Sequence, residues 1–314
     1  MTFHLFQVYV IMCKFDTGKA IPCCWALLPN KTEDAYQLMM DAIMKKVNRD
    51  GLEDHKPSEF SVDFESTMIK IIKARFPGSK ITGCTFHMRQ AVWRKLQEIG
   101  LIPFFFNDAD FQELVYMIYA LSFVPMDKIV DYYEEVILQR IEDKIGQLDD
   151  ETGDGIDTED DDTTWKFWLR QLDVFVAYLD FTWIGKKAAR SGRRGRPHIS
   201  TEVWNHYETM VESDKSGRAL CLTNNSLERY NRTLKKMVGS HPNVWLFTQS
   251  LISQEADYRR VLMHNATGVD ITVNQGQVER IKDNNDRIMC VVRRCSDLSP
   301  TMYLQTLSRL LCEK

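Results

Sequence analysis

The stretch FSVDFEST at Phe60–Thr67 decides how the chain is organised. A short apolar run ends at Asp63, and a helical pattern begins a few residues later. In α/β folds, functional side chains gather where strands end, because ligands bind in the crevice outside those ends. The position of Asp63 therefore predicts an active-site acid at a strand end.

A second motif follows further along the chain. Lys80–Gly83 has the pattern of another strand and runs directly into Cys84-x-x-His87 at the start of a basic helix. A cysteine and a histidine at this spacing can hold zinc, but a structural site needs four ligands. The candidates for the other ligands are His198, His206 and Cys221. The spacing alone favours the other interpretation, a buried cysteine beside a histidine that hydrogen-bonds near the catalytic acid.

Composition places the chain among ordinary globular proteins. It has 314 residues, of which 44% are hydrophobic and 27% charged, enough for a substantial core. The formal net charge of −4 shows no overall basic bias toward nucleic acid. The 8 cysteines are scattered, which favours reduced thiols in a cytosolic or nuclear protein. No apolar run is long enough to span a bilayer, and the N-terminus has a strand pattern rather than that of a signal peptide.

Secondary-structure patterns change character along the chain. Strands alternate with helices in its first third, which indicates an α/β fold, and from Asp108 onward the pattern is helical. The predicted elements are strands at Leu5–Cys13, Ala20–Leu28, the run up to Asp63 and Lys80–Gly83, and helices after Thr32 and over Ser66–Arg75, Cys84–Ile99, Asp110–Phe123, Met126–Ile145, Trp165–Trp183, Trp204–Val211, Leu227–Val238 and Val244–His264.

Two blocks of like charge flank the aromatic helix at Trp165–Trp183. The acidic run 149–162 has the composition of a solvated, disordered loop, and its spacing excludes an EF-hand. The basic segment 186–197 favours phosphate contact or nuclear targeting. For cations on the helices, phosphate contact and a plain solvated face are equally open. The candidate phosphate contacts are Arg89, Arg94, Arg193, Arg194, Arg196, Lys235 and Lys236.

Asp63 and Glu228 form a candidate pair of metal ligands. Glu228 lies one turn into a helix that follows Asn224 and Asn225. Metal-assisted phosphoryl transfer needs carboxylates that converge on two cations about 3.5–4 Å apart. Spacing alone favours the alternative, in which Asp63 caps the following helix and Glu228 is a surface acid.

Taken together, these motifs resemble the transposase domain of Mutator-like elements (MULE), a DDE family with a ribonuclease-H-like core. The resemblance covers roughly residues 1–265, with the pieces in the family's order. The matching pieces are Leu5–Ile11, Gly18–Cys23, Ala26–Thr32, Asp63–Glu65, Phe76-Pro77, Gly83–Gln90, Phe123–Pro125 and Thr223–Glu228.

The resemblance implies a domain plan. Residues 1–107 would form the first part of a ribonuclease-H-like α/β core with a mixed sheet. A large α-helical insertion, 108–222, would precede the last catalytic acid. The core would resume with helices at 223–265, and we expect a polar, weakly structured tail at 266–314.

The resemblance also assigns residues. It makes Asp63 the second acid of the triad and Glu228 the third, both as ligands of Mg²⁺ or Mn²⁺. Cys84 and His87 match the family's Cys-x-x-His motif, and Asn224 and Asn225 match the polar pair before the catalytic helix.

The first acid departs from the family pattern. It belongs to an Asp-Gly-Thr-Phe-like turn, and here the chain begins Met1-Thr-Phe3, so that aspartate would lie before residue 1. Asp16 lies in the turn between the first two strands, and we expect Glu65 to point away from Asp63. We therefore expect an N-terminally truncated core that is inactive on its own.

The predicted function is that of a nuclear DDE transposase core for Mg²⁺-dependent DNA cleavage and strand transfer. Its partner would be DNA at transposon ends, with a homodimer as a further expectation and neither a membrane nor a small-molecule substrate. The alternatives are a domesticated, non-catalytic DNA- or protein-binding derivative and a helical protein-interaction module.

Overall fold

The computed structural model describes residues 7–15, 20–52, 54–153, 161–217, 222, 225–239, 243–267 and 275–312. The chain divides into two compact units. The first unit comprises Met1–Lys80 and Gly217–Lys282, and the second comprises Ile81–Ser216 and Asp283–Lys314. This division differs from the predicted segments, because the second unit already begins at Ile81 and the C-terminal residues return to it.

The first unit contains a β-hairpin and helices. Its strands and helices confirm the predicted pattern, and the predicted start at Thr32 is also confirmed, because its hydroxyl accepts from the Ala35 N–H (3.4 Å). The elements are β1 (Gln7–Lys14), β2 (Ala20–Leu28), α1 (Glu33–Arg49), β3 (Glu59–Val62), α2 (Ser66–Arg75), α11 (Asn225–Val238) and α12 (Val244–Ala266).

The β1–β2 hairpin uses its two faces differently, because successive side chains of a strand point to opposite sides. Val8 and Val10 on β1 belong, with Trp25 and Leu27 on β2, to an apolar cluster with α11 and α12. The next residues on β1 face the other way: the ring of Tyr9 contacts Tyr36 of α1, with centroids 5.6 Å apart. The hairpin therefore separates α11 and α12 from α1.

Apolar contacts between α1 and α2 supply the rest of this unit's core. Met39 and Met40 of α1 are buried, as are Met68 and Ile72 of α2. Among the described residues, β1 and β2 form a two-stranded antiparallel sheet without a third strand. The mixed α/β character is thus confirmed, while the wider ribonuclease-H-like sheet stays a prediction.

The second unit is helical. It begins in the strand β4 (Lys80–Gly83), and α13 passes into it from the first unit. Its helices are α3 (Thr85–Glu98), α4 (Ile102–Asn107), α5 (Ala109–Ala120), α6 (Ile129–Tyr132), α7 (Gln139–Gly153), α8 (Asp161–Leu179), α9 (Thr201–Trp204), α10 (Tyr207–Ser216), the end of α13 (Gln275–Val292) and α14 (Pro300–Cys312), with π-helical turns at Tyr133–Leu138 and Asp180–Ile184.

The prediction of a weakly structured tail is wrong for the C-terminal helices. α14 packs against α5, and its residues Tyr303, Leu304 and Leu307 are fully buried. The Tyr303 hydroxyl donates to the Phe123 carbonyl (2.5 Å). A strip of apolar residues at helical spacing was enough to bury this helix, although polar residues surround it in the sequence.

The acidic run 149–162 is also less irregular than predicted. α7 extends to Gly153 and α8 begins at Asp161, so both ends of the run are helical. Its middle, 154–160, lies outside the described residues. No helix in the described part of the chain is long and apolar enough to cross a membrane.

Candidate functional site

Asp63 lies in the short turn between β3 and α2. β3 ends at Val62 and α2 begins at Ser66, with Glu65 as its N-cap residue. The side chain of this N-cap residue makes no cap hydrogen bond, and Asp63, which is not the N-cap residue, is exposed. The alternative in which Asp63 caps the helix is therefore wrong, and its carboxylate is open to solvent.

Glu65 is held by a tyrosine instead of capping its own helix. The buried Tyr36 hydroxyl donates to Glu65 Oε1 (2.7 Å), and Gln7 Oε1 lies 3.5 Å from the same hydroxyl. A hydrogen bond to an ionised acceptor is about twice as strong as one between neutral groups. This contact fixes the turn that carries Asp63 against β1 and α1.

The carboxylates of Asp63 and Glu65 both raise the pKa values of Tyr9 and Tyr36. Burial raises the pKa of Tyr9, and the negative charges of Asp63 and Glu65 raise it further. Burial, followed by the hydrogen bond from Tyr36 to Glu65, raises the pKa of Tyr36 to about 12. Both phenols therefore stay neutral at neutral pH and keep their protons as donors. The expectation that Glu65 points away from Asp63 stays a prediction, although both charges raise the pKa values of these two phenols.

Glu228 lies in the first turn of α11 and is half-buried. Its neighbours Leu227 and Tyr230 pack in the apolar cluster of the hairpin, which holds the start of the helix in place. Glu228 Oε1 is buried and has no hydrogen-bond partner among the described residues. An unsatisfied buried carboxylate oxygen is costly, so a cation is a natural partner for it. The alternative of a plain surface acid is wrong.

Asp63 and Glu228 have different neighbours within the first unit. The charge of Asp63 raises the pKa values of Tyr9 and Tyr36, whereas α11 packs against the other face of the hairpin. Within the described residues, Asp63 belongs to no group of three close metal-ligating side chains. The predicted convergence of the two acids stays a prediction.

A series of hydrogen bonds holds α11 against the hairpin, and no pattern in the sequence indicated it. Trp25 Nε1–H donates to the Tyr230 hydroxyl (2.5 Å), which donates to Gln254 Oε1 of α12 (2.7 Å). Burial raises the pKa of Tyr230 to about 12. Because Tyr230 is two residues from Glu228 on the same helix, these hydrogen bonds orient the start of α11 as well.

The Cys84-x-x-His87 motif lies in the second unit. Cys84 is fully buried at the N-cap of α3, and His87 Nδ1 is buried without a hydrogen-bond partner in the described structure. The predicted further zinc ligands do not join them: His198 stacks on Phe181 and His206 packs near Phe123, and neither is grouped with the motif. The remaining candidate, Cys221, lies outside the described residues.

The polar pair before the catalytic helix is described only in part. Asn225 is the first residue of α11, whereas Asn224 lies outside the described residues.

Arg194 corrects the predicted set of phosphate contacts. Its side chain is 5% exposed, and Nε donates to Glu134 (2.9 Å). Nη1 donates to Asp180 (2.7 Å) and to the Gly185 carbonyl (2.7 Å). The guanidinium also lies over the ring of Tyr133, 5.0 Å from its centroid. Arg194 therefore holds the basic segment onto its own unit and is not a phosphate contact.

Arg89 is also directed inward. Its guanidinium lies 5.7 Å from the centroid of the Tyr119 ring, and burial lowers its pKa. The other cations of the predicted set are exposed, and phosphate contact stays a prediction for them. They are Arg94, Arg193, Arg196, Lys235 and Lys236.

Comparison with known proteins gives one match. Residues 2–91 match the family model of the MULE transposase domain. No curated protein and no solved structure matches the chain. The matched range runs from before β1 into α3 and contains Asp63, Cys84 and His87. This match supports a MULE transposase domain at residues 2–91.

Proposed function

We propose that the chain is the core of a DDE-type transposase, which cleaves and joins DNA at transposon ends with Mg²⁺ or Mn²⁺. The observation that carries the proposal is Asp63, an exposed, uncapped strand-end acid inside the family match. Action in the nucleus and pairing of two copies on the two transposon ends are parts of the same proposal.

The chemistry of the two acids suits a divalent cation. Mg²⁺ prefers carboxylate oxygens and retains several waters, so one or two acids are enough to hold it. Asp63 offers an exposed carboxylate, and Glu228 offers a buried oxygen without a partner among the described residues. We assign Asp63 and Glu228 as the ligands. A cation held there would supply the positive charge that stabilises attacking and leaving oxygens in phosphoryl transfer.

Other residues hold the two acids in position or attract DNA. Tyr36 holds Glu65, and through it the turn that bears Asp63. Tyr230 and its partner Trp25 hold the helix that bears Glu228. Exposed cations on the outer face of α11 would contribute attraction to the phosphate backbone, which is independent of DNA sequence.

Metal binding is the direct test. We expect the chain to bind Mn²⁺, measured by electron paramagnetic resonance, and Asp63→Asn or Glu228→Gln to weaken this binding by on the order of 10-fold or more. Two matched variants should leave it unchanged: Asp54→Asn, at an exposed position, and Glu255→Gln, whose partner is Arg259 on the surface of α12.

Cleavage of terminal-repeat DNA with Mg²⁺ or Mn²⁺ tests the reaction itself. In any form of the protein that cleaves, Asp63→Asn should lower the rate by on the order of 100-fold or more, because a ligand of the metal is lost. Cleavage and Mn²⁺ binding that both survive Asp63→Asn would refute the assignment.

A second function is favoured by the exposed Lys235 and Lys236 on α11. A non-catalytic derivative would bind DNA through such cations without metal, with affinity that falls steeply as salt rises. Removing one phosphate-contacting lysine should reduce the slope of log affinity against log salt by about 1. Glu228→Gln and chelation of metal should leave that binding unchanged.

A further inference from the structure

Two cysteines meet across the β1–β2 hairpin at a break in its regular pairing. Ile11 pairs with Cys24, and Met12 pairs with Pro22, so Cys23 is the extra residue of a β-bulge. A bulge re-aims the side chain of its extra residue. Here the sulfur of Cys23 lies 3.1 Å from that of Cys13, near the end of β1.

The sulfurs are accessible as well as close. Cys13 and Cys23 are both exposed free thiols. A disulfide bond has an S–S length of about 2.05 Å, so the sulfurs need to approach by only about 1 Å. Cys23 Sγ also lies 3.3 Å from the Ile11 carbonyl, a contact that holds its thiol beside β1.

The pair differs in acidity. The hydrogen bond between the two sulfurs lowers the pKa of Cys13 to about 7, although partial burial opposes this. The same interaction, with burial, raises the pKa of Cys23. Because the thiolate is the nucleophile, Cys13 is the attacking group at neutral pH and Cys23 is the resolving group.

We propose that Cys13 and Cys23 form a reversible thiol–disulfide site that reacts with low-molecular-weight disulfides. The Cys13 thiolate attacks one sulfur of the small disulfide, the S–S bond breaks, and one small thiolate leaves. Cys23 then loses its proton to water and attacks Cys13, forming the Cys13–Cys23 bond and expelling the second thiolate. Two protein thiols are oxidised, and one disulfide is reduced to two thiols.

The product joins β1 and β2 covalently on the hairpin whose apolar face holds α11. A disulfide constrains the unfolded chain, so the oxidised hairpin should open less often than the reduced one. The site is independent of the proposed transposase function, because none of its atoms belongs to the assigned metal ligands.

The test exposes the reduced full chain to oxidised glutathione at pH 7, followed by intact mass and peptide mapping. We expect the chain to lose about 2 Da, with Cys13 and Cys23 in one cross-linked peptide pair. Cys23→Ser should stop the reaction at a stable glutathione adduct on Cys13. Cys24→Ser, at the neighbouring position, should behave as the unchanged protein.

The rate of the first step gives a second readout. With a pKa near 7, Cys13 is about half ionised at pH 7, against about 3% for an ordinary thiol, while its lower basicity reduces nucleophilicity about 5-fold. Adduct formation in Cys23→Ala should therefore not exceed that of a model peptide thiol, because the neighbouring sulfur that lowers the pKa of Cys13 is gone, whereas the intact pair should react about 3-fold faster. A persistent adduct on Cys13 in the unchanged protein, or a Cys13–Cys24 link, would overturn the proposal.

Discussion

Replacing Tyr36 with phenylalanine removes one oxygen from a fully buried side chain and leaves its ring in place. In the structure that hydroxyl donates to Glu65 at 2.7 Å. A hydrogen bond to a charged group contributes about 1.5–3 kcal/mol. Because Glu65 is half-buried and can regain water, the lower part of this range applies. We expect Tyr36→Phe to lower the free energy of unfolding of the first unit by about 1.5–2 kcal/mol.

The loss of stability caused by Tyr36→Phe should become smaller at high pH. The pKa of Tyr36 is raised to about 12, from burial and the hydrogen bond to Glu65. A group whose pKa is raised on folding contributes stability that is fully present below its unfolded pKa, about 10 for a phenol, and is lost as pH rises through the folded value. The stability difference between the unchanged protein and Tyr36→Phe should therefore narrow above about pH 10, by at most about 1.4 kcal/mol per pH unit.

Urea unfolding at pH 8 and pH 11 measures this difference, and hydrogen exchange of α1 and α2 at pH 8 locates it. The matched control is Tyr258→Phe, also in the first unit, whose hydroxyl makes no hydrogen bond to the described residues and which should change stability by less than about 0.5 kcal/mol. Equally small losses of stability in both variants at pH 8, or an effect of Tyr36→Phe that is unchanged at pH 11, would contradict this prediction.

Three further substitutions test other contacts. Tyr230→Phe removes the acceptor of Trp25 Nε1–H and should cost about 1–3 kcal/mol in urea unfolding, with faster hydrogen exchange in α11. Arg194→Lys breaks the nearly buried ion pairs of Arg194 with Glu134 and Asp180 and should lower the melting temperature by an amount equivalent to about 2–4 kcal/mol. The control Arg193→Lys, at an exposed position, should leave the melting temperature unchanged. Gly185→Ala should cost at least about 3 kcal/mol in the same assay, because φ is +105° and a Cβ atom would overlap the carbonyl oxygen of residue 195.

Several features were predicted well because their signals are local. The bounds of α2 at Ser66–Arg75 and of β4 at Lys80–Gly83 agree with the sequence pattern, since apolar periodicity and a Pro-Gly stop act over a few residues. The motifs around Asp63 likewise predicted the family that the comparison found in residues 2–91.

Other features depended on residues far apart in sequence. The basic segment looked like a set of free cations, but Arg194 is bound by Glu134, 60 positions away along the chain. Glu65 accepts a hydrogen bond from Tyr36, 29 positions earlier in the chain. Neither partner is marked in the local pattern, because a glutamate or tyrosine on a helix is compatible with many environments.

The sequence by itself determined the strands β1–β4 and the helices α1–α3, the family match of residues 2–91 and the identity of the candidate acid Asp63, since these follow from short-range patterns and motifs. Only the tertiary structure decided that Arg194 is internal, that the C-terminal helix α14 is part of a core, and that Cys13 meets Cys23. The physical reason is that burial and charge pairing depend on which surfaces meet in space, and a residue's own neighbours in sequence carry little information about that.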